Sequence, residues 1–442
     1  MSSSVRARVL TPASRSSPDR SASPAPSLRY LDDGLLVVDG HGRIASVGPF
    51  DPAAVVGPLV DLRPAIVVPG FVDTHVHYPQ TRAVGSASGP LLDWLEHTIF
   101  PEEARFADLA YAREVGREFT TRLLAVGTTT AAVYSSSSPG ATAVCFEALH
   151  DAGLHAVVGL TLMDQSCPDA LKVPREVAIP AARELVARWH GKDGGRLRFA
   201  VTPRFAIACS RALMEDAAAL AREHDLVVQT HVSENRKEGE ETQRLHPYGG
   251  DYVDVYDRVG LLGPRTMLAH AILLAPAEWE RIAERGASIA HCPDSNFFLG
   301  SGCMHLAEAL RRTIPVGLGS DVAAGRTFDM RRIVASAYDA SLIVGARVAP
   351  EELFRRATLG GAEALGVADT TGSLEPGKDA DFAVIDAPAW LDGAEAALAH
   401  VAFASDLGRV VATHVRGVRR WPIAEGAGAF AAPSGRDAAA RH

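Results

Sequence analysis

No apolar run in the 442 residues approaches the length of about eighteen that a membrane-crossing helix needs. Positive charge is in deficit too. Lys and Arg number 44 against 53 Asp and Glu, and a formal net charge of −9 at pH 7 argues against a nucleic-acid-binding surface. Cysteine is sparse: Cys145, Cys167, Cys209, Cys292 and Cys303 form no C-x-x-C pair. An odd, scattered set of thiols suits a reduced, cytoplasmic protein and not a disulfide framework. The opening residues are rich in Ser, Arg and Pro and hold no apolar stretch, so no secretory signal is expected. No segment repeats.

What is present has the balance of a soluble globular protein, with 47% hydrophobic and 22% charged residues. The chain is long for one compact core, so a large domain and a smaller one are expected.

The most informative stretch is Pro69-Gly70-Phe71-Val72-Asp73-Thr74-His75-Val76-His77, which continues an apolar run. In an extended chain residues i and i+2 face the same side. His75 and His77 therefore aim at one point where a strand ends. Neutral imidazole is a common ligand of zinc and iron. A His-x-His pair alone is more often two ordinary histidines. Here other short apolar stretches also end in polar residues: His231, with Glu234 three residues on, then His270, then Asp321. Helical patterns at 214–224, 276–285 and 305–312 alternate with them. Alternating strands and helices predict parallel βα units. In a (β/α)8 barrel every strand C-terminus opens on one face, so residues far apart in sequence converge there.

The segments PGFVDTHVH, THVSE, LAH and GLGSDV resemble those of amidohydrolase-superfamily enzymes. Residues 90–106 (PLLDWLEHTIFPEEARF), 201–209 (VTPRFAIAC), 289–302 (IAHCPDSNFFLGSG) and 357–366 (ATLGGAEALG) resemble the guanine deaminase family within it. The resemblance spans residues 34–382 or so. It implies an α/β fold, a (β/α)8 TIM-like barrel over 66–371, with a small β-sandwich built from both chain ends, 1–65 and 372–422. The residue pattern itself suggests strands at 5–10, 34–38, 43–47, 382–385 and 410–415, a hairpin turn at 39–42, and a Ser/Pro-rich loop at 11–27. The Ala/Gly-rich tail, 423–442, is expected to be disordered.

The resemblance also implies a reaction, the zinc-dependent hydrolysis of guanine to xanthine and ammonia by a homodimer. His75, His77, His231 and Asp321 supply three nitrogens and one oxygen, which suits one zinc with an open position. Iron(II) is the alternative ion. His270 either binds the metal weakly or bonds to its water. Dinuclear members of the superfamily bridge two metals through a lysine or glutamate on a middle strand. The corresponding stretch, 198–205, holds neither, so one ion per chain is expected. Glu234 is placed to carry a proton from the attacking water to a ring nitrogen, and Asp321 to pass another to the departing amine. Gln80, Arg204 and Phe205 match residues that contact the base in guanine deaminases, with His231 and Glu234 beside them. Read on their own, Arg204 could instead pair with a structural carboxylate and Phe205 could be core. His291 is expected to support the site by hydrogen bonds, and Trp94 and Phe100 to cover the pocket or anchor a loop. Asp294 and Ala271 depart from the family's usual residues.

Two other readings stay open. One is a related hydrolase acting on 8-oxoguanine, cytosine, an adenosine derivative or a triazine. The other is a catalytically inactive scaffold, against which the intact ligand set argues. The cytidine deaminase fold is excluded by the missing C-x-x-C. The expected partners are a small molecule and water, with no nucleic acid and no membrane.

Overall fold

The computed structural model describes residues 2–13, 28–86 and 89–422. Fifteen strands, numbered in chain order, form two sheets among them. Four come first: β1 (Ser3–Pro12), β2 (Leu28–Val38), β3 (Ile44–Pro49) and β4 (Leu59–Pro69). Eight follow: β5 (Phe71–His77), β6 (Thr128–Tyr134), β7 (His155–Leu162), β8 (Leu197–Pro203), β9 (Val227–Val232), β10 (Thr266–His270), β11 (Ser288–His291) and β12 (Val316–Leu318). The last three are β13 (Phe382–Ile385), β14 (Val410–Val415) and β15 (Val418–Trp421).

Strands β5 to β12 lie side by side in chain order, all parallel. Helices cross between them, so both sheet faces are covered and the strands are apolar and buried almost throughout. The ring nearly closes where β12 meets β5. There Thr74 Oγ1 donates to the Leu318 carbonyl at 2.9 Å and the Asp321 amide donates to the His75 carbonyl at 2.8 Å. This is a TIM-like barrel. Its helices read simply: in Arg211–Glu223, Ser210 caps the Leu213 amide at 3.1 Å. Leu213, Met214, Ala217, Leu220 and Ala221 form its buried stripe.

The other sheet has the order β15-β14-β13-β4-β1-β2-β3 and so joins both chain ends. The hairpin between β2 and β3 turns at 39–42 as expected. Asp39 accepts the amides of His41 and Arg43 at 2.8 and 2.9 Å, and Gly42 takes φ +79°.

Three expectations change. The apolar run 65–72 is not one barrel strand. It divides at Pro69-Gly70, so residues 66–69 pair with β13 in the second sheet and the barrel strands begin at Phe71, not at 66. Gly70 is required at the crossing because a Cβ there would lie 2.0 Å from Thr129 Oγ1. Thr11 and Pro12 belong to β1, paired with Arg29 and Leu28, and not to a loop. Most of the expected loop (14–27) and the tail 423–442 lie outside the described residues. Finally, Gly393–Phe403 forms a helix where no element was foreseen. It is Ala-rich and apolar on most sides, so no clean 3.6-residue stripe marked it.

Candidate metal centre and active site

Each metal-ligand candidate sits at the C-terminal end of a barrel strand. His75 and His77 close β5, His231 lies near the end of β9, His270 ends β10, and Asp321 follows β12. All five are buried. His77 Nε2 lies 3.2 Å from His75 Nε2 and 3.3 Å from His231 Nε2. Asp321 Oδ1 lies 3.1 Å from His75 Nε2 and 3.2 Å from His77 Nε2. Nitrogen and oxygen ligands of a tetrahedral zinc, about 2.0–2.1 Å from the ion, stand roughly 3.3 Å apart. The donor set therefore fits such a cation.

A wider group, His75, His231, His270 and Asp321, has donor atoms within 4.8 Å of one another. The two sets share three members. The shorter separations favour the set with His77. His270 then sits at the rim, its Nε2 3.4 Å from Glu234 Oε2 and 3.8 Å from Asp321 Oδ2.

Surrounding groups aim these ligands. His231 Nδ1 donates to the Arg204 carbonyl at 2.6 Å, which leaves Nε2 unprotonated and facing the ligand cluster. His270 Nδ1 donates to Asn296 Oδ1 at 3.0 Å. Ser295 Oγ donates to Asp321 Oδ2 at 2.5 Å. Buried Asp73 accepts the amides of His75 and Ser320 at 3.1 and 2.9 Å and so ties β5 to the chain after β12. Burial pushes its carboxyl up to about 7 against those bonds. Ser233, His270, Ala271 and Asp321 have φ of +50°, +70°, +53° and +49°. Left-handed non-glycine residues cost about 1–3 kcal/mol each and cluster where side chains must be re-aimed. Ala271 thus holds a conformation that glycine adopts freely.

Charge is set by the same crowding. Burial pushes the His75 imidazole down to about 4, and burial together with the neighbouring imidazoles holds His231 well below its usual range. For Asp321 burial works upward, but His75, His77 and His270 outweigh it and hold the carboxylate well below its usual range. Burial raises the Glu234 carboxyl, with His270 opposing. For His270 burial works downward, and the charges of Glu234 and Asp321 win and raise it. His75 and His231 are thus held neutral beside one firm anion, Asp321, as metal binding requires.

Above the cluster lies a cavity. His77, His231, Glu234, His270 and Asp321 line it together with Gln80, Arg204 and Phe205. Gln80 is in the turn Tyr78–Gln80 directly after β5, and Arg204 and Phe205 directly follow β8. Trp94 lines the same space and anchors its loop, Nε1 donating to the Ser86 carbonyl at 2.6 Å. Phe100 lies under Arg204, 5.2 Å from Cζ to the ring centre.

Two buried carboxylates escaped the sequence reading. Glu103 bonds both Arg204 and Gln80. It stands beside Glu102, and nothing in the string separates an inward glutamate from its surface neighbour. Arg204 therefore both lines the cavity and pairs with a carboxylate. Glu238 accepts the amides of Glu234 and Asn235 at 2.8 and 3.1 Å and the Tyr252 hydroxyl at 2.7 Å. The spacing Asn235-x-x-Glu238 is a capping-box signature that would have found it. His291 corrects another expectation. Neither of its nitrogens has a hydrogen-bond partner among the described residues, and burial pushes it down to about 3. Asp294 is explained: it accepts the amide and guanidinium of Arg326 at 2.7 and 2.6 Å, fastening the loop after Asp321.

Comparison with known proteins agrees with this geometry. The model of the amidohydrolase family matches residues 66–420. Guanine deaminase of Escherichia coli is 40% identical over 367 residues, which is 82% of this chain and 83% of that protein. The solved guanine deaminase from C. acetobutylicum, with guanine bound in its active site, superposes with a TM-score of 0.86 at 30% identity, covering 95% of this chain and 100% of that one. An adenosine deaminase from Xanthomonas campestris with bound zinc superposes at 0.80 with 27% identity, covering 94% and 92%.

Proposed function

The chain belongs to the amidohydrolase family, and from that premise we propose that it is a zinc-dependent guanine deaminase that releases ammonia from guanine and leaves xanthine. The observation that carries the reading is the juxtaposition, at one cavity, of the close donor set His75, His77, His231 and Asp321 at its floor, the carboxylate of Glu234, and the pair Arg204 and Gln80. His75, His77, His231 and Asp321 would hold a divalent ion, which would supply a water of lowered pKa as the nucleophile.

The side chains do the rest. Arg204 and Gln80 hold the base by its ring carbonyl and adjoining ring atoms, and Phe205 lies against its flat face. That orientation sets the amine-bearing carbon over the ligand cluster. Glu234 takes one proton from the attacking water and delivers it to the adjacent ring nitrogen. Its Oε1 is buried and has no partner among the described residues, so it is free to accept. Burial raises its pKa toward the range where a carboxyl both accepts and donates at neutral pH. Asp321 takes the second proton and passes it to the amine as the carbon–nitrogen bond breaks. His270, between Glu234 and Asp321, stabilises the charge that develops. The carbon that carried the amine is left as a second ring carbonyl, which makes the product xanthine. We place the enzyme in the cytoplasm, acting on the free base.

Loss of guanine absorbance with equal release of ammonia tests the proposal, with adenine, cytosine, 8-oxoguanine and a triazine as competitors. Preference for guanine by orders of magnitude is expected. A site that hydrogen-bonds its substrate rejects analogues lacking the match by roughly 10⁴-fold. Preference for any other base overturns the substrate while leaving the family intact.

A further inference from the structure

Glu103 stands at a junction that the proposed reaction does not explain. Its carboxylate is 4% exposed and faces two residues of the cavity wall. One oxygen accepts from Arg204 Nη1 and the other from Gln80 Nε2 at 3.0 Å. Gln80 Oε1 in turn accepts the backbone amide of Ala323 at 3.0 Å. Adjacent helical residues point about 100° apart. In the helix Phe100–Ala104, Glu102 therefore turns outward to Arg105, at 2.8 Å, while Glu103 turns inward against Arg204 and Gln80, behind the cavity wall.

This chain of bonds has two consequences. The Gln80 amide has only one orientation. Flipped, its oxygen would face a carboxylate and its NH₂ would face the Ala323 N–H, so both contacts would become repulsive. The remaining donor and lone pair of Gln80 are therefore offered to a ligand in fixed order. Arg204, meanwhile, enters the cavity as half of a neutral ion pair. A buried arginine without a partner would draw an anion. Paired with Glu103, it presents hydrogen-bond donors with no net charge behind them.

We propose that Glu103 is the positioning residue for base recognition: it fixes the Gln80 amide and neutralises Arg204, so the cavity accepts an uncharged ring carbonyl and rejects an anion in its place. This rests on the reading of the site as a base-binding one.

The test compares Glu103→Gln and Glu103→Asp with the parent, all metal-loaded. Purine-6-carboxylate, an anion where guanine has its carbonyl, is the probe, and its binding is read by calorimetry. Glu103→Gln should raise KM for guanine about 10- to 100-fold, the scale of a misplaced charged hydrogen bond. It should change kcat far less and tighten purine-6-carboxylate by about tenfold or more. Glu103→Asp keeps the charge on a shorter stem. It should raise KM for guanine and still reject the anion, and it serves if the glutamine variant does not fold. A purely structural glutamate would lower the melting temperature and leave KM and the anion preference unchanged. That result overturns the proposal, as does loss of affinity for both ligands in equal measure. If the parent ignores guanine, the reading of the reaction fails. The calorimetric anion preference still decides the role of Glu103.

Discussion

The backbone carbonyl of Arg204 accepts the Nδ1–H of His231 at 2.6 Å. The residue that supplies the guanidinium of the cavity wall thus also fixes the tautomer of a ligand imidazole. Under the proposed function, one short segment after β8 would set both what the cavity recognises and how His231 faces the metal position. Substitutions of the Arg204 side chain leave that carbonyl in place, so recognition and metal binding are separable by experiment.

Arg204→Ala should lower kcat/KM for guanine by about 2 kcal/mol or more, the scale of a lost charged hydrogen bond. It also leaves Glu103 buried without its cation. Breaking one side of a buried ion pair costs roughly 3–5 kcal/mol, so denaturation should show a marked loss of stability. Metal content, measured on the same sample, should be unchanged.

Glu234→Gln should leave fold and metal content intact and lower turnover by about 10²-fold or more, the contribution of a positioned acid–base group. Steady-state deamination with metal analysis checks it. A variant at parental rate would move the proton transfer elsewhere.

Purified protein should carry one equivalent of divalent metal, most often zinc. Chelation should abolish activity and lower the melting temperature, because a ligand that binds only the native state stabilises it by mass action. His77→Ala should lose most of the metal, whereas His270→Ala should keep it. Two equivalents per chain, or equal loss in both variants, would contradict the tighter ligand set.

Asp294→Asn weakens the grip on Arg326. The Arg326 side chain is 52% exposed, so solvent screens the pair and the loss of stability should be at most about 1 kcal/mol. The fastened loop runs from Asp321 to Arg326 and carries Ala323, the donor to Gln80. KM for guanine should therefore rise more than the stability change suggests.

Self-association is expected. Trp390 and Leu407, each 79% exposed, and Ile343, 67% exposed, are large apolar side chains facing solvent. Light scattering should give about twice the 46.7 kDa chain mass; the monomer mass at micromolar concentration would reject this.

Local chemistry made much of this molecule readable in one dimension. Barrel strands buried on both faces are short, largely apolar runs, and several carry a histidine or are followed by a carboxylate at the C-terminal end that faces the open side. That is why His75, His77, His231, His270 and Asp321 could be named before any fold was known. The helix Pro276–Arg285 and the strands Phe382–Ile385 and Val410–Val415 likewise followed from pattern and punctuation. Three things did not. The division of residues 65–72 between two sheets depends on Gly70 passing Thr129, a residue 59 positions away in the chain. The helix Gly393–Phe403 is apolar on too many sides to show a stripe. The inward turn of Glu103 depends on what its helix packs against. Sequence marks the candidate residues and where strands end, because those signals are local. Which of two adjacent glutamates meets an arginine 101 positions away is decided only when distant strand ends converge, because burial and pairing are properties of the assembled face.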